Sequence, residues 1–181
     1  MCSRNANKLR ELSALLPDWA LEPLHAEYPP ETGETYYENA RAKALFGPAD
    51  AWTLGEDSGL EVTALGGRPG ILSARYGSEG AEANEKLLGE LQGVEDRAAR
   101  YVCELVLIAP DGRELRGTGV LEGRIAAGPA GAEGFGYDPI FIPEGEERTV
   151  AELGNEWKSR NSHRARAAQA LLREAGGLLA D

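Results

Sequence analysis

Gly55-Glu56-Asp57-Ser58-Gly59-Leu60 is the stretch whose reading decides how the chain is organised. It follows a short apolar run, Ala51 to Leu54, that reads as a buried strand. Two adjacent carboxylates come next, then a hydroxyl and a glycine. Side chains alternate across a strand, so Glu56 and Asp57 point to opposite faces unless the backbone turns there. Burying one uncompensated carboxylate is costly, and the usual compensations are a metal ion, a cationic partner or backbone donors. A solvated strand-to-turn junction is the competing account, because Asp, Ser and Gly are common in turns for conformational reasons alone. The segment by itself leaves both readings open.

The 181 residues predict one domain, 1–181, with no separable linker. A hydrophobic fraction of 42% and a charged fraction of 27% describe an ordinary soluble globule. No apolar run approaches the ~20 residues that cross a bilayer, and no signal peptide is recognisable, so no membrane partner is expected. Cys2 and Cys103 lie far apart without metal-type spacing, which fits a reducing cytoplasm. The net charge of −11 excludes nucleic acid as a partner, since phosphate-backbone binding needs a broad basic surface. A small anionic ligand stays possible where cations cluster locally, and a divalent metal would help it bind.

Upstream of the acidic stretch, Ser3-Arg4-Asn5-Ala6-Asn7-Lys8 leads into Leu9, Leu12, Leu15 and Leu16, an amphipathic helix stopped at Pro17-Asp18. A polar loop entering a helix N-terminus suits phosphate, and Lys8 adds a charge. Simple capping by Ser or Asn explains the same residues. Glu31 to Ala44 begins as a loop and becomes a second helix. Thr35 with Glu38 forms a capping box, which by itself accounts for Glu38; a metal ligand at a helix start is the alternative. Asn39 and Lys43 share a face at i, i+4.

Downstream, Leu60–Leu65 alternates like a strand before the sharp loop Gly66-Gly67-Arg68-Pro69-Gly70. Ala81–Leu91 reads as a packing helix with Asn84, Leu87, Leu88 and Leu91 on one stripe. Ala99–Ile108 and Arg113–Ile125 flank Pro110-Asp111-Gly112, a hairpin signal, with apolar residues on both faces of the first strand. Gly128–Gly136 is a glycine-rich loop closing on Phe135-Gly136-Tyr137-Asp138, where an aromatic between glycines can lie against a planar ligand or tuck into the core. Asn155–Arg164 is the densest basic stretch, feeding a final helix capped by Ser162 and ended near Gly176-Gly177. Cations at a helix start oppose its dipole, which invites an acceptor-rich ligand.

Taken in order, these segments resemble the inosine triphosphate pyrophosphatase family, hydrolases of non-standard purine nucleoside triphosphates. The resemblance rests on an ordered set rather than one motif. It runs through Ser3-x-Asn5-x-x-Lys8, Glu31-Thr-Gly-x-Thr-x-x-Glu38-Asn39-Ala-x-x-Lys43 and Glu56-Asp57-Ser58-Gly59-Leu60. It continues through Leu65-Gly-Gly-x-Pro-Gly70-Ile-x-Ser73-Ala-Arg75-Tyr76, Gly134-Phe-Gly-Tyr-Asp-Pro139-Ile-Phe141, Lys158-Ser159 and Ser162-His163-Arg164, covering nearly the whole chain.

The resemblance implies a mixed α/β fold of two lobes around a central cleft, with an elongated mixed sheet flanked by helices, in a cytoplasmic homodimer. It implies hydrolysis of ITP, dITP and XTP to the monophosphate and pyrophosphate with Mg²⁺. Asp57 would be the proton acceptor and a metal ligand, with Glu38 holding metal beside it. Ser3, Arg4, Asn5, Ala6, Asn7 and Lys8 would hold the phosphates with Lys43. Ser58, Phe135, Gly136, Tyr137, Asp138, Lys158, His163 and Arg164 would line the nucleotide pocket. Family chains open with a short apolar strand, whereas only Met1 and Cys2 precede Ser3 here, and Arg4 stands where a small residue is common. Lower stability or affinity than in a chain carrying that strand is the expectation. The alternatives are a broader-specificity (Maf-like) pyrophosphatase and a nucleotide-binding module weakened in catalysis.

Overall fold

A computed structural model of the chain describes residue 1 and residues 5–24, 30–77 and 80–176. The expectations for Ser3 and Arg4 lie outside the described residues. The helices are α1 (Ala6–Leu15), α2 (Tyr36–Leu45), α3 (Gly80–Glu90), α4 (Val150–Asn161) and α5 (His163–Gly176). The strands are β1 (Thr53–Val62), β2 (Ala98–Ile108), β3 (Glu114–Ile125) and β4 (Phe141–Pro143), in the spatial order β1-β2-β3-β4. The class is mixed α/β, as anticipated, and the described strands form an antiparallel sheet. The β3–β4 register pairs Gly123 with Pro143 and Ile125 with Phe141. The hairpin closes where Ala109 N–H reaches the Arg113 carbonyl at 2.8 Å.

The strand-or-turn question at residue 55 has a clear outcome. β1 runs unbroken through both carboxylates and joins parts of the two strands expected at Ala51–Leu54 and Leu60–Leu65; it begins only at Thr53 and ends at Val62, and Thr63–Leu65 is a 3-10 turn. Trp52, expected inside, is half exposed. The acidic residues stay in a buried strand because distant segments bring partners to them.

Two compact units are distinguishable, each with its own core. The first comprises Met1–Ser58, Cys103–Gly119 and His163–Asp181. Its β2 is buried on both faces, as its apolar pattern predicts. Cys103, Leu105 and Leu107 meet Leu12 of α1, Leu16 just beyond it and Leu171 of α5, while Val106 meets Ala40 and Ala44 of α2. A Cβ at Gly55 would lie 1.9 Å from the Ala40 carbonyl oxygen, so only glycine lets α2 rest on β1. Tyr37 and Arg41 of α2 both bind Glu114 of β3, clamping the outer side of the helix.

The second unit comprises Gly59–Val102 and Val120–Ser162. Leu60, Val62, Leu87, Leu91, Tyr101 and Phe141 fill its core, with the rings of Tyr101 and Phe141 4.5 Å apart. Here α4 is broken: Gly154 sits at φ 89°, a conformation that L side chains avoid, and two helical pieces meet there. Glu133 caps the second piece, accepting from the Asn155 backbone N–H at 2.9 Å and its Nδ2 at 2.8 Å.

Candidate active site

The first cluster belongs to the first unit and is built around β1. Asn5 caps α1, its Oδ1 accepting from the N–H groups of Asn7 at 3.0 Å and Lys8 at 3.2 Å. Capping therefore accounts for Asn5, and Asn7 accepts from Arg10 one turn on. Ala6 opens the helix. Lys8 instead turns to β1, its Nζ 2.8 Å from Glu56 Oε2.

Glu56 is the hub. It is 1% exposed, and Arg164 Nη2 meets its other oxygen at 3.0 Å. The same Nη2 lies 2.9 Å from Ser58 Oγ, and Arg164 Nη1 binds Glu11 of α1. Burial alone would raise the Glu56 pKa; Lys8 first and Arg164 next outweigh it and hold the carboxyl well below its usual range. Arg164 is itself fully buried, with a pKa moved further up by Glu56. Its charge at the start of α5 is thus answered by two carboxylates. The Cys103 thiol also faces Glu56 at 3.7 Å, and burial pushes its pKa up, making it unreactive.

Asp57 points to the opposite face, as strand alternation requires. It is 4% exposed, and α2 supplies its partners: Lys43 Nζ at 2.9 Å from Oδ1 and Asn39 Nδ2 at 3.2 Å from Oδ2. The i, i+4 face expected of Asn39 and Lys43 is realised on this carboxylate. Asn39 is oriented in turn by Gly33, whose N–H donates to Oδ1 at 2.9 Å. Burial raises the Asp57 pKa, and Lys43 only partly offsets it. Asp57 therefore binds a proton more readily than an ordinary aspartate, while Glu56, one residue away, holds its charge.

Glu38 completes the capping box, its Oε2 accepting from Glu34 N–H at 2.7 Å and Thr35 N–H at 3.2 Å. It is exposed, and the second carboxylate found at the Asp57 corner is Glu31. Its Oε1 lies 2.5 Å from the Lys43 ammonium, so Glu31 and Asp57 already share one cation. Glu31 sits in a loop without periodicity and shows no local signal; only its place in the Glu31-Thr-Gly motif hinted at a role. No trio of His, Cys, Asp or Glu forms a ready metal cage among the described residues. Hard oxygen donors from one or two carboxylates do fit Mg²⁺, which completes its shell with water and substrate phosphate.

The second cluster belongs to the second unit. Asp138, buried, accepts from Lys158 Nζ at 2.5 Å, Phe135 N–H at 2.7 Å and Tyr101 OH at 3.3 Å. Lys158 Nζ also stands 4.0 Å from the centre of the half-buried Phe135 ring, a cation–π contact. Tyr137 OH donates to the Ser73 carbonyl at 3.0 Å, and Asn84 Nδ2 to the Gly136 carbonyl at 3.1 Å. Phe135, Gly136, Tyr137, Asp138 and Lys158 thus form one assembly. The basic stretch divides: Lys158 serves this cluster from α4, whereas buried His163 and Arg164 open α5 in the first unit.

The sequence model of the Ham1 family matches residues 1–174. A dITP/XTP pyrophosphatase from Deinococcus radiodurans is 44% identical, covering 97% of this chain and 92% of its own. One from Treponema denticola is 46% identical over 92% of each chain. Among solved structures, the Ham1 protein of Staphylococcus aureus superposes with a TM-score of 0.86 at 35% identity, covering 99% of this chain and 97% of its own. A nucleoside-triphosphatase (dITP/XTP pyrophosphatase) from Mycobacterium abscessus gives a TM-score of 0.74 at 41% identity, covering 94% and 95%.

Proposed function

Because the chain belongs to the Ham1 family, we propose that it hydrolyses non-standard purine nucleoside triphosphates, ITP, dITP and XTP, to the monophosphate and pyrophosphate. The observation that carries the reading is Asp57: a buried carboxylate of raised proton affinity, held between Lys43 and Asn39. Asp57 takes the proton of the water that attacks the phosphorus of the α–β anhydride. Lys8 and Lys43 neutralise charge on the phosphate oxygens, which is the main demand of phosphoryl chemistry. Mg²⁺, when bound by Asp57 with Glu31 or Glu38, supplies further charge neutralisation at those oxygens.

The assembly of Phe135 to Asp138 with Lys158 takes the purine, Phe135 offering a ring face. Hypoxanthine and xanthine present an O6 acceptor where adenine presents an amino donor. Backbone N–H groups of that loop would pair with O6 and leave adenine's amino group opposite a donor. A buried site built on such bonds discriminates by about 10⁴-fold or more. Arg164 commits its guanidinium to Glu11, Glu56 and Ser58, so its role is to hold the corner together. We place the reaction in the cytoplasm, in keeping with the free Cys103. We take the working form to be a homodimer, for which the exposed Leu45 and Trp52 offer apolar surface.

Asp57→Asn tests the reading. Pyrophosphate release should fall by at least about 100-fold, the scale of lost general-base catalysis, with melting temperature retained. Turnover is read as phosphate after added inorganic pyrophosphatase on ITP, XTP, dITP, GTP, ATP and dTTP. Retained turnover in the variant removes Asp57 as the base. Equal turnover of ATP and ITP by the wild type replaces this reading with a broad-specificity pyrophosphatase.

A further inference from the structure

Phe135 sits between two glycines in the left-handed region, Gly134 at φ 79° and Gly136 at φ 65°. Asp138 locks the end of this loop through its bonds to Phe135 N–H and Lys158. The middle is less constrained: a Cβ built on Gly136 would meet nothing within 4 Å. What reaches it is Asn84 of α3, whose Nδ2 donates to the Gly136 carbonyl at 3.1 Å.

Asn84 maintains that bond against its own stability interest. It is 6% exposed, on the stripe that carries the fully buried Leu87 and Leu91, and its Oδ1 is buried without a partner among the described residues. A buried amide oxygen lacking a donor is destabilising, whereas an apolar side chain of similar size would bury no such acceptor and would forgo only one bond, to the exposed Gly136. Turning the amide over gives no relief, because it would set Oδ1 against the Gly136 oxygen. A polar group kept at such a cost marks a requirement other than packing. The group it serves is the Gly136–Tyr137 peptide, one residue beyond Phe135.

We propose that Asn84 is a positioning residue for purine recognition, acting through the Gly136 carbonyl to hold the Phe135 ring in its stacking pose. The proposal rests on the function given above. It assigns Asn84 to binding of the base, with no part in phosphate binding or in the chemical step.

The test compares wild type with Asn84→Leu for KM and kcat on ITP, inhibition by inorganic pyrophosphate (which has no base), and melting temperature. Wild-type protein that releases no pyrophosphate from any triphosphate refutes the proposed function before the variant is considered. With an active wild type, the variant should show KM raised about threefold to tenfold, the worth of one neutral hydrogen bond. Its kcat and its inhibition by pyrophosphate should be unchanged, and its melting temperature equal or higher. An unchanged KM overturns the proposal, and so does a KM rise accompanied by weaker pyrophosphate inhibition and a lower melting temperature. If the leucine variant does not fold, Asn84→Asp, of the same size but lacking the donor, should give the same selective KM rise. Failure of both to fold makes Asn84 a folding residue and overturns the proposal.

Discussion

Gly55→Ala adds one methyl group, and the structure says where it goes. The new Cβ would lie 1.9 Å from the Ala40 carbonyl oxygen and 2.6 Å from the Ala44 nitrogen, both backbone atoms of α2. No rotamer change relieves a backbone clash, so α2 must retreat by about 1.5 Å to restore ordinary contact. Lys43 and Asn39 ride on α2, at 2.9 and 3.2 Å from Asp57, and a shift of that size takes both beyond hydrogen-bond range. Overpacking costs about 1–3 kcal/mol, and the lost charge-assisted bond to a buried carboxylate about 1.5–3 kcal/mol. Together they amount to about 2.5–6 kcal/mol, which lowers Tm by at least ~5 °C for a chain of this size. Displacement of groups around the reacting atoms by about 1 Å lowers kcat/KM about 100-fold. Calorimetry and the coupled phosphate assay read both quantities. Gly89→Ala is the control: its Cβ meets nothing within 4 Å, so helix propensity should raise stability by up to about 1 kcal/mol. A Gly55→Ala protein melting within about 2 °C of wild type with undiminished kcat/KM would refute the reasoning.

Three further outcomes follow from the same contacts. Lys43→Met removes the cation that partly lowers the Asp57 pKa, so the acid limb of the kcat profile should move to higher pH; an unmoved limb separates Lys43 from the base. Glu56 has a depressed folded-state pKa, so its stabilisation is present above the ordinary glutamate pKa of ~4.3 and is lost as pH falls below it. Denaturant titrations from pH 7 downward should show that loss. Glu56→Gln should be destabilised at pH 7 by about 3–5 kcal/mol, because Arg164 is left buried with a broken pair, and should flatten the pH dependence. Lys158→Met leaves Asp138 without its cation and Phe135 without its cation–π partner, so KM for ITP should rise and Tm should fall; unchanged values for both would remove the pair from the purine wall.

What could be read beforehand was what local chemistry determines. The capping box at Thr35–Glu38, the hairpin at Asp111-Gly112 and the shared face of Asn39 and Lys43 follow from neighbours a few residues apart, and all are present. The division of Glu56 and Asp57 between opposite faces follows from the period of a strand. Hidden from the sequence were the partners that bring those carboxylates inside. Glu11 meets Arg164 across 153 residues, and Glu133 caps a helix 22 residues on. Glu31 announces nothing in its loop until Lys43 is seen to bridge it to Asp57. The charge of Arg164 at a helix start is met by Glu11 and Glu56, carboxylates far from it in the sequence.

The ion pair between Glu56 and Arg164 joins residues 108 positions apart. At a ribosomal pace of about 5–20 residues per second, the carboxylate waits roughly 5–20 s for its guanidinium. Through that interval the nascent polypeptide carries Glu56 and Lys8 but not the arginine that completes their pairing. A messenger cut short before codon 164 would yield a protein whose interior carboxylate is only half answered, fit for proteolysis.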